Sequence, residues 1–209
     1  MRHVVVTRFS VPRPEPGTHG CHCDPEWLAG RLRLFERYFV PSVGRLGVPA
    51  VLLCSSASAA TVADRLRRLD WVRVVEEDDW HAGWTGTADQ IVTRHDSDDA
   101  LHEGWLARLE ETDATADVVA TTDLLRLDEA TGRLHRYRRR EISPLAAFRH
   151  GLPPFAHDHA HLAEHHRMVI VRGAWLLQVA HGGNVANARP KWWRFDRRVP
   201  RSRLAAFGL

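Results

Sequence analysis

The hydrophobic pattern of the first hundred residues switches between short apolar runs and helical spacing. Val4 to Phe9 reads as a first, largely buried strand. Val11 to Pro25 carries four prolines and two glycines and reads as a loop. In Trp27 to Phe39, the residues Trp27, Leu28, Leu32, Phe35 and Phe39 fall on one broad helical face with arginines opposite, and Pro41 is expected to end the helix. Ala50 to Cys54 is a second strand, Ala59 to Leu69 an amphipathic helix and Val72 to Val75 a third strand. Trp80 to Gln90 reads as loop and turn leading into a helix start, and Ile91 to Thr93 as the fourth strand.

The second half is less regular. Leu101 to Leu109 reads as a helix with Asp98 or Asp99 near its start, and Asp117 to Asp128 as one longer strand. A turn at Glu129 to Gly132 then returns the chain through Leu134 to Arg139 as a hairpin partner. Pro144 to His150 is expected to be a short helix ended by Gly151. Met168 to Val171 is a strand, Trp175 to Val179 a strand or short helix, and His181 to Asn184 a glycine-punctuated turn. Strand-helix alternation predicts an α/β domain with a mostly parallel sheet flanked by helices, and the hairpin makes that sheet mixed.

Composition narrows the class. A chain of 209 residues with 44% apolar and 26% charged residues suits one globular domain. No apolar run approaches the roughly 20 residues of a membrane helix, and the N-terminal run is too short for a signal peptide. Three cysteines do not pair evenly, which fits a reducing compartment, and the expected location is the cytoplasm. The net charge is only +3, but acids crowd into Glu76 to Asp79 and Asp96 to Asp99, and bases into Arg136 to Arg140 and Lys191 to Arg203.

The sharpest chemical signal is the run Ile91 to Leu101, where an apolar strand leads into Asp96, Asp98 and Asp99. Three carboxylates within four residues repel one another unless a positive charge sits among them. A divalent cation is the economical answer, because hard cations take carboxylate oxygens and keep positions open for phosphate. Asp96 and Asp98 point to the same side of an extended chain. They stand at a strand end, where open α/β sheets bind ligands.

These parts, in this order, resemble a nucleotide-sugar glycosyltransferase of the GT-A type, and more narrowly a bacterial rhamnosyltransferase family. The residues that carry the resemblance are Val6-Thr7-Arg8-Phe9, Arg33-Leu34-Phe35 with Phe39-Val40-Pro41-Ser42, Thr93 to Ala100 with its DxD motif, and Trp175 to Val179 with His181-Gly182-Gly183-Asn184. They span most of the chain. The resemblance implies a GT-A-like (Rossmann-like) domain over residues 1–190. Its donor-binding part lies within roughly 1–100 and its acceptor- and metal-completing part within roughly 101–190. A basic aromatic tail, 191–209, follows.

The resemblance also implies roles. Thr7 and Arg8 would hold base and ribose, Arg94 would neutralise phosphate or lock the carboxylates, and Lys191 in the tail would close over the diphosphate. Asp96 would face ribose, donor sugar or metal, Asp98 would hold Mn2+ or Mg2+, and His181 would complete the metal site. Asp99 would bind sugar hydroxyls or cap the next helix. Asp158, His161 and Glu164 are the region's candidates for a general base, Asp158 and Glu164 foremost, with inverting transfer favoured. The expected partners are a nucleoside-diphosphate sugar and an acceptor that is a glycan, a lipid-linked sugar or a small molecule. Nucleic acid is not the expected partner.

Other readings stay beside this one. A nucleotidyltransferase acting on a sugar phosphate also uses metal and carboxylates. It would usually carry a basic, glycine-rich loop after the first strand, whereas Ser10 to Gly20 is proline-rich with Arg13 as its only Lys or Arg. The dense histidines His157, His159, His161, His165 and His166, with Cys21, His22 and Cys23, raise a zinc hydrolase or a structural zinc. A polar surface loop explains the histidines as well. A catalytically inactive binding subunit is the remaining alternative.

Overall fold

A computed structural model describes residues 2–12, 24–79, 86–138, 142–181 and 197–209. The strands form two sheets, and one hydrophobic cluster draws on both. The larger sheet is built from β1 (Arg2–Arg8), β2 (Ala50–Cys54), β3 (Val72–Glu76), β4 (Gln90–Arg94), β6 (Val118–Thr121), β9 (Ala146–Phe148) and β10 (Met168–Val171). The smaller contains β5 (Ala100–Leu101), β7 (Asp123–Asp128), β8 (Leu134–Arg138), β11 (Leu176–Ala180) and β12 (Arg197–Arg198). The larger sheet has the spatial order β10-β6-β9-β4-β1-β2-β3. It is parallel except for β9, which runs antiparallel to both β4 and β6. The expected α/β class, with a mostly parallel mixed sheet flanked by helices, is therefore what forms.

Period-two alternation sorts the strand residues onto two faces. Val5, Leu52, Ile91, Val119 and Ala147 meet Leu28, Leu32, Phe35, Val62 and Trp105 on one side. These come from α1 (Pro25–Leu34), the π-helical turn Phe35–Phe39, α3 (Ser56–Leu66) and α4 (Trp105–Glu110). On the other face Val4, Val6, Leu53, Val92 and Phe148 pack beneath Phe155 and Leu162. Leu162 opens the short α5 (Leu162–His165). The smaller sheet rests a third cluster, Leu125, Leu127 and Val179, on Leu34, Tyr38 and Phe207.

Several elements depart from the sequence reading, each for a tertiary reason. The helix does not end at Pro41: the π turn widens the ladder so that the Val40 N–H reaches back to the Phe35 carbonyl, and the helical path continues through the proline into α2 (Val40–Gly44). Leu101, expected to open a helix, instead pairs with β11 together with Ala100, and the helix starts only at Trp105. The single strand expected over 117–128 breaks at Thr122 and feeds two sheets. Ala146–Phe148, expected as helix, is instead the antiparallel strand between β4 and β6, where all three residues are buried. The hairpin is as expected, with β7 and β8 antiparallel and Gly132 at φ 64° in its turn. No helix among the described residues is long and apolar enough to cross a membrane.

Candidate active site

The strand order marks a candidate site. From β1 the chain proceeds through β2 to β3 on one side, whereas β4 returns to the opposite side of β1. The carboxyl ends of β1 and β4 thus flank a point where the winding reverses, the place where such sheets bind ligands. Val6 of β1 is in register with Arg94 of β4, and the His95 N–H donates to the Val6 carbonyl at 3.1 Å. The acidic turn begins one residue later.

Asp96 is exposed, but Asp98 and Asp99 are buried. Asp98 Oδ2 lies 2.9 Å from His181 Nε2 and 2.9 Å from Arg31 Nη1. His181 stands 83 positions along the chain. The antiparallel pairing of β5 with β11 joins them: β5 opens immediately after Asp99, and β11 runs back past the acidic turn to His181. Arg31 comes from the last turn of α1, whose start is set by Asp24, which accepts from the Glu26 and Trp27 N–H groups, and by Pro25 at the first position.

The two buried aspartates titrate in opposite directions. Burial opposes ionisation of Asp98, but the Arg31 charge and the His181 hydrogen bond outweigh it and hold the carboxyl at about 2. Burial pushes Asp99 well above the carboxylate range, and the charges of Asp98 and Asp96 add to the rise; the Val179 N–H, donating to Asp99 Oδ1 at 2.8 Å, works the other way. Asp99 therefore ties the acidic turn to β11 and caps no helix. A carboxyl raised on folding stabilises the fold below its unfolded value, near pH 4, and that contribution is lost as pH rises through the folded value. Asp99→Asn, measured in chelator, should raise Tm at pH 8 by ~2–4 °C per kcal/mol gained. The gain should fade toward pH 4; a lower Tm at pH 8 would show that ionised Asp99 is the stabilising form.

The remaining candidates divide. Thr7 is fully buried and its Oγ1 has no hydrogen-bond partner among the described residues. Arg8 lies over the Phe155 ring, 4.5 Å from its centroid. Arg94 is buried and donates to the carbonyls of Pro144, Pro154 and His157 at 3.3, 2.9 and 3.2 Å. Burial lowers its pKa to about 10 against the upward pull of Asp96 and Asp158. Asp158 thus shares the Arg94 charge with Asp96 at one end of the sheet. Glu164 is exposed and bonds His161 at 3.1 Å, which keeps its carboxyl below the usual range. Lys191, Gly182, Gly183, Asn184 and the Cys21-His22-Cys23 run lie outside the described residues.

Two features escaped sequence reasoning. Arg31 is one of three arginines on this helical stretch, and spacing alone does not separate it from Arg33 and Arg37, which both approach Glu129. The only signal was that a buried acid needs a cation. His95 is buried against Phe39, ring centroids 5.5 Å apart, and burial lowers its pKa to about 4, so it is neutral at pH 7. The histidine-rich segment packs ring on ring, with His157 and His165 3.8 Å apart and nearly parallel. Among the described residues no group of three or more His, Cys, Asp or Glu side chains is placed to hold a metal ion.

No family model matches the chain, and no curated protein matches it in sequence. Among solved structures it is similar to S. aureus TarS 1-349 in complex with UDP-GlcNAc, with 12% identity and a TM-score of 0.49, covering 88% of this chain and 60% of that one. It is also similar to HddC from Yersinia pseudotuberculosis, with 12% identity, a TM-score of 0.42 and coverage of 82% and 90%. For the inositol-1-phosphate CTP transferase from T. maritima the values are 12%, 0.46, 85% and 89%. The chain spans about 60% of the TarS segment. All three TM-scores lie below 0.5, and the reading of the site rests on its own geometry.

Proposed function

We propose that the protein is a metal-dependent glycosyltransferase that moves a sugar, rhamnose on the family resemblance, from a nucleoside-diphosphate donor to an acceptor. The observation that carries this reading is the meeting of Asp98 and His181 beside Arg31 at the winding reversal between β1 and β4.

The donor set suits a divalent cation. Asp98 offers carboxylate oxygen and His181 an imidazole nitrogen, a combination compatible with Mn2+, and Mg2+ or Mn2+ sites commonly use one or two carboxylates and take their other ligands from water and phosphate. Asp96, two residues away and exposed, is not grouped with them as a third ligand and would add an oxygen only by moving toward the ion. The ion would stabilise the charge that develops on the departing diphosphate. This chain's own residues supply the rest. Asp98 is ionised throughout the neutral range and keeps the His181 ring oriented. Arg94 holds the 154–157 backbone beside the carboxyl end of β4, and Arg8 stacks on Phe155 of that segment. Asp158, next along it, is the assigned base for the acceptor hydroxyl.

The test is a thermal-shift screen of UDP, GDP, dTDP and CDP, each with and without Mn2+. A shift that needs one nucleotide together with metal is expected; no shift with any pair overturns the reading. His181→Ala should weaken Mn2+ binding about tenfold or more in a nucleotide titration. The lost hydrogen bond should cost only about 1 kcal/mol of stability. An unchanged titration would remove His181 from the site. Product analysis separates glycosyl transfer from nucleotidyl transfer, since the latter consumes a nucleoside triphosphate and a sugar phosphate.

A further inference from the structure

Arg31 makes the site electrostatically overcomplete. Its guanidinium is permanently charged and already sits 2.9 Å from the Asp98 oxygen that His181 also approaches. A divalent cation drawn to that oxygen meets a like charge in the same place. The grip of Arg31 is also partial. It reaches Asp98 through Nη1, its Nε is buried without a hydrogen-bond partner among the described residues, and its side chain is 21% exposed. A buried guanidinium N–H with no acceptor is costly, and a charged oxygen is the acceptor that a guanidinium bonds most strongly. Ser97, in the same turn, likewise buries an Oγ with no partner among the described residues.

We propose that Arg31 is a charge placeholder: it neutralises Asp98 in the nucleotide-free site and moves to the diphosphate of the donor when the divalent cation takes Asp98 and His181. This rests on the glycosyltransferase reading and deepens it, because it makes cation and donor binding mutually dependent. Without nucleotide, a cation must separate Arg31 from Asp98 and leave the guanidinium unpaired. With nucleotide, the phosphates give Arg31 a new partner, so each ligand strengthens the other by the same factor. The same exchange keeps Asp98 paired whenever no donor is bound, which spares the fold an uncompensated buried carboxylate.

The experiment is calorimetric titration of the full chain with Mn2+, alone and with the nucleoside diphosphate that gives the largest shift in the screen. In the wild type the nucleotide should raise Mn2+ affinity roughly 5–150-fold, the usual range of such coupling. In Arg31→Gln, Mn2+ alone should bind about tenfold more tightly, the nucleotide at saturating Mn2+ more weakly, and the coupling should fall by about tenfold or more, leaving only what the phosphates' own bonds to the ion provide. Arg31→Lys, which keeps the charge without the planar fork, should return Mn2+ alone to wild-type affinity. An arginine that only supports the fold would give the opposite sign: Arg31→Gln would bind Mn2+ equally or less well, with circular dichroism showing a folded protein. That result overturns the placeholder. If Arg31→Gln does not fold, the wild type decides, since absence of coupling there overturns the proposal equally. No Mn2+ binding by the wild type with any nucleotide overturns the underlying reading instead.

Discussion

Asp98→Asn should abolish the metal-dependent part of nucleotide binding and lower transfer by about 10²–10³, the usual effect of losing one group that stabilises developing charge. The substitution preserves volume but removes the charge that both His181 and Arg31 meet at 2.9 Å. Arg31 is left without its carboxylate, yet its 21% exposure lets water take part of its charge. The stability cost is therefore put at ~1–3 kcal/mol, below that of breaking a fully buried pair. The cost has a pH signature. Asp98 is depressed to about 2 in the fold, so its contribution is present above the unfolded carboxylate value of about 4 and is lost as pH falls toward 2. Wild type and variant should differ in Tm at pH 7 and converge between pH 4 and pH 2. Nucleotide binding that still responds to Mn2+ in a folded Asp98→Asn protein would falsify the metal-site assignment.

Arg94→Met should give the largest loss of stability, ~3–5 kcal/mol, read as a fall in Tm of ~10 °C. Arg94 is 4% exposed and supplies charged donors to three carbonyls, on Pro144, Pro154 and His157. Methionine fills much of the space and satisfies none of them. The guanidinium also lies over the rings of Phe148 and Phe155, at 5.6 and 5.8 Å, so the change unseats the segment that covers one face of the larger sheet. Arg94→Lys should recover part of the loss, because a single ammonium reaches fewer of the three carbonyls than a planar fork does. Equal stability of Arg94→Met and wild type would mean that the carbonyls find other donors and that Arg94 is available to a ligand.

The acidic turn was legible because its chemistry is local. Three carboxylates within four residues at a strand end demand positive charge whatever the rest of the chain does. The resemblance nominated His181, and the structure brings it to Asp98. Arg31, the third member, was not legible, because choosing it among its neighbouring arginines requires knowing which side of α1 faces β4. Asp99 was legible as an acid but not in its task, since its partner is a backbone N–H of β11.

By itself the sequence determined the elements whose information lies within a window of a few residues. Strands β1 and β2 are continuous apolar runs, β3 and β4 are shorter valine- and isoleucine-rich segments, α1 and α3 carry a helical stripe, and the β7–β8 hairpin is closed by its own turn residues. The α/β class follows from their alternation. Tertiary structure alone decided the segments whose preference is weak or mixed. Ala146–Phe148 becomes a strand because β4 and β6 offer backbone partners on both sides, and burial of all three residues outweighs their helical propensity. Ala100–Leu101 becomes a strand because β11 lies beside it, and the 117–128 run divides because its two halves find partners in different sheets. The candidate site belongs to the same class. Its members stand at positions 31, 98 and 181, and only the pairing of β5 with β11 and the packing of α1 on the core bring their charges within hydrogen-bond distance.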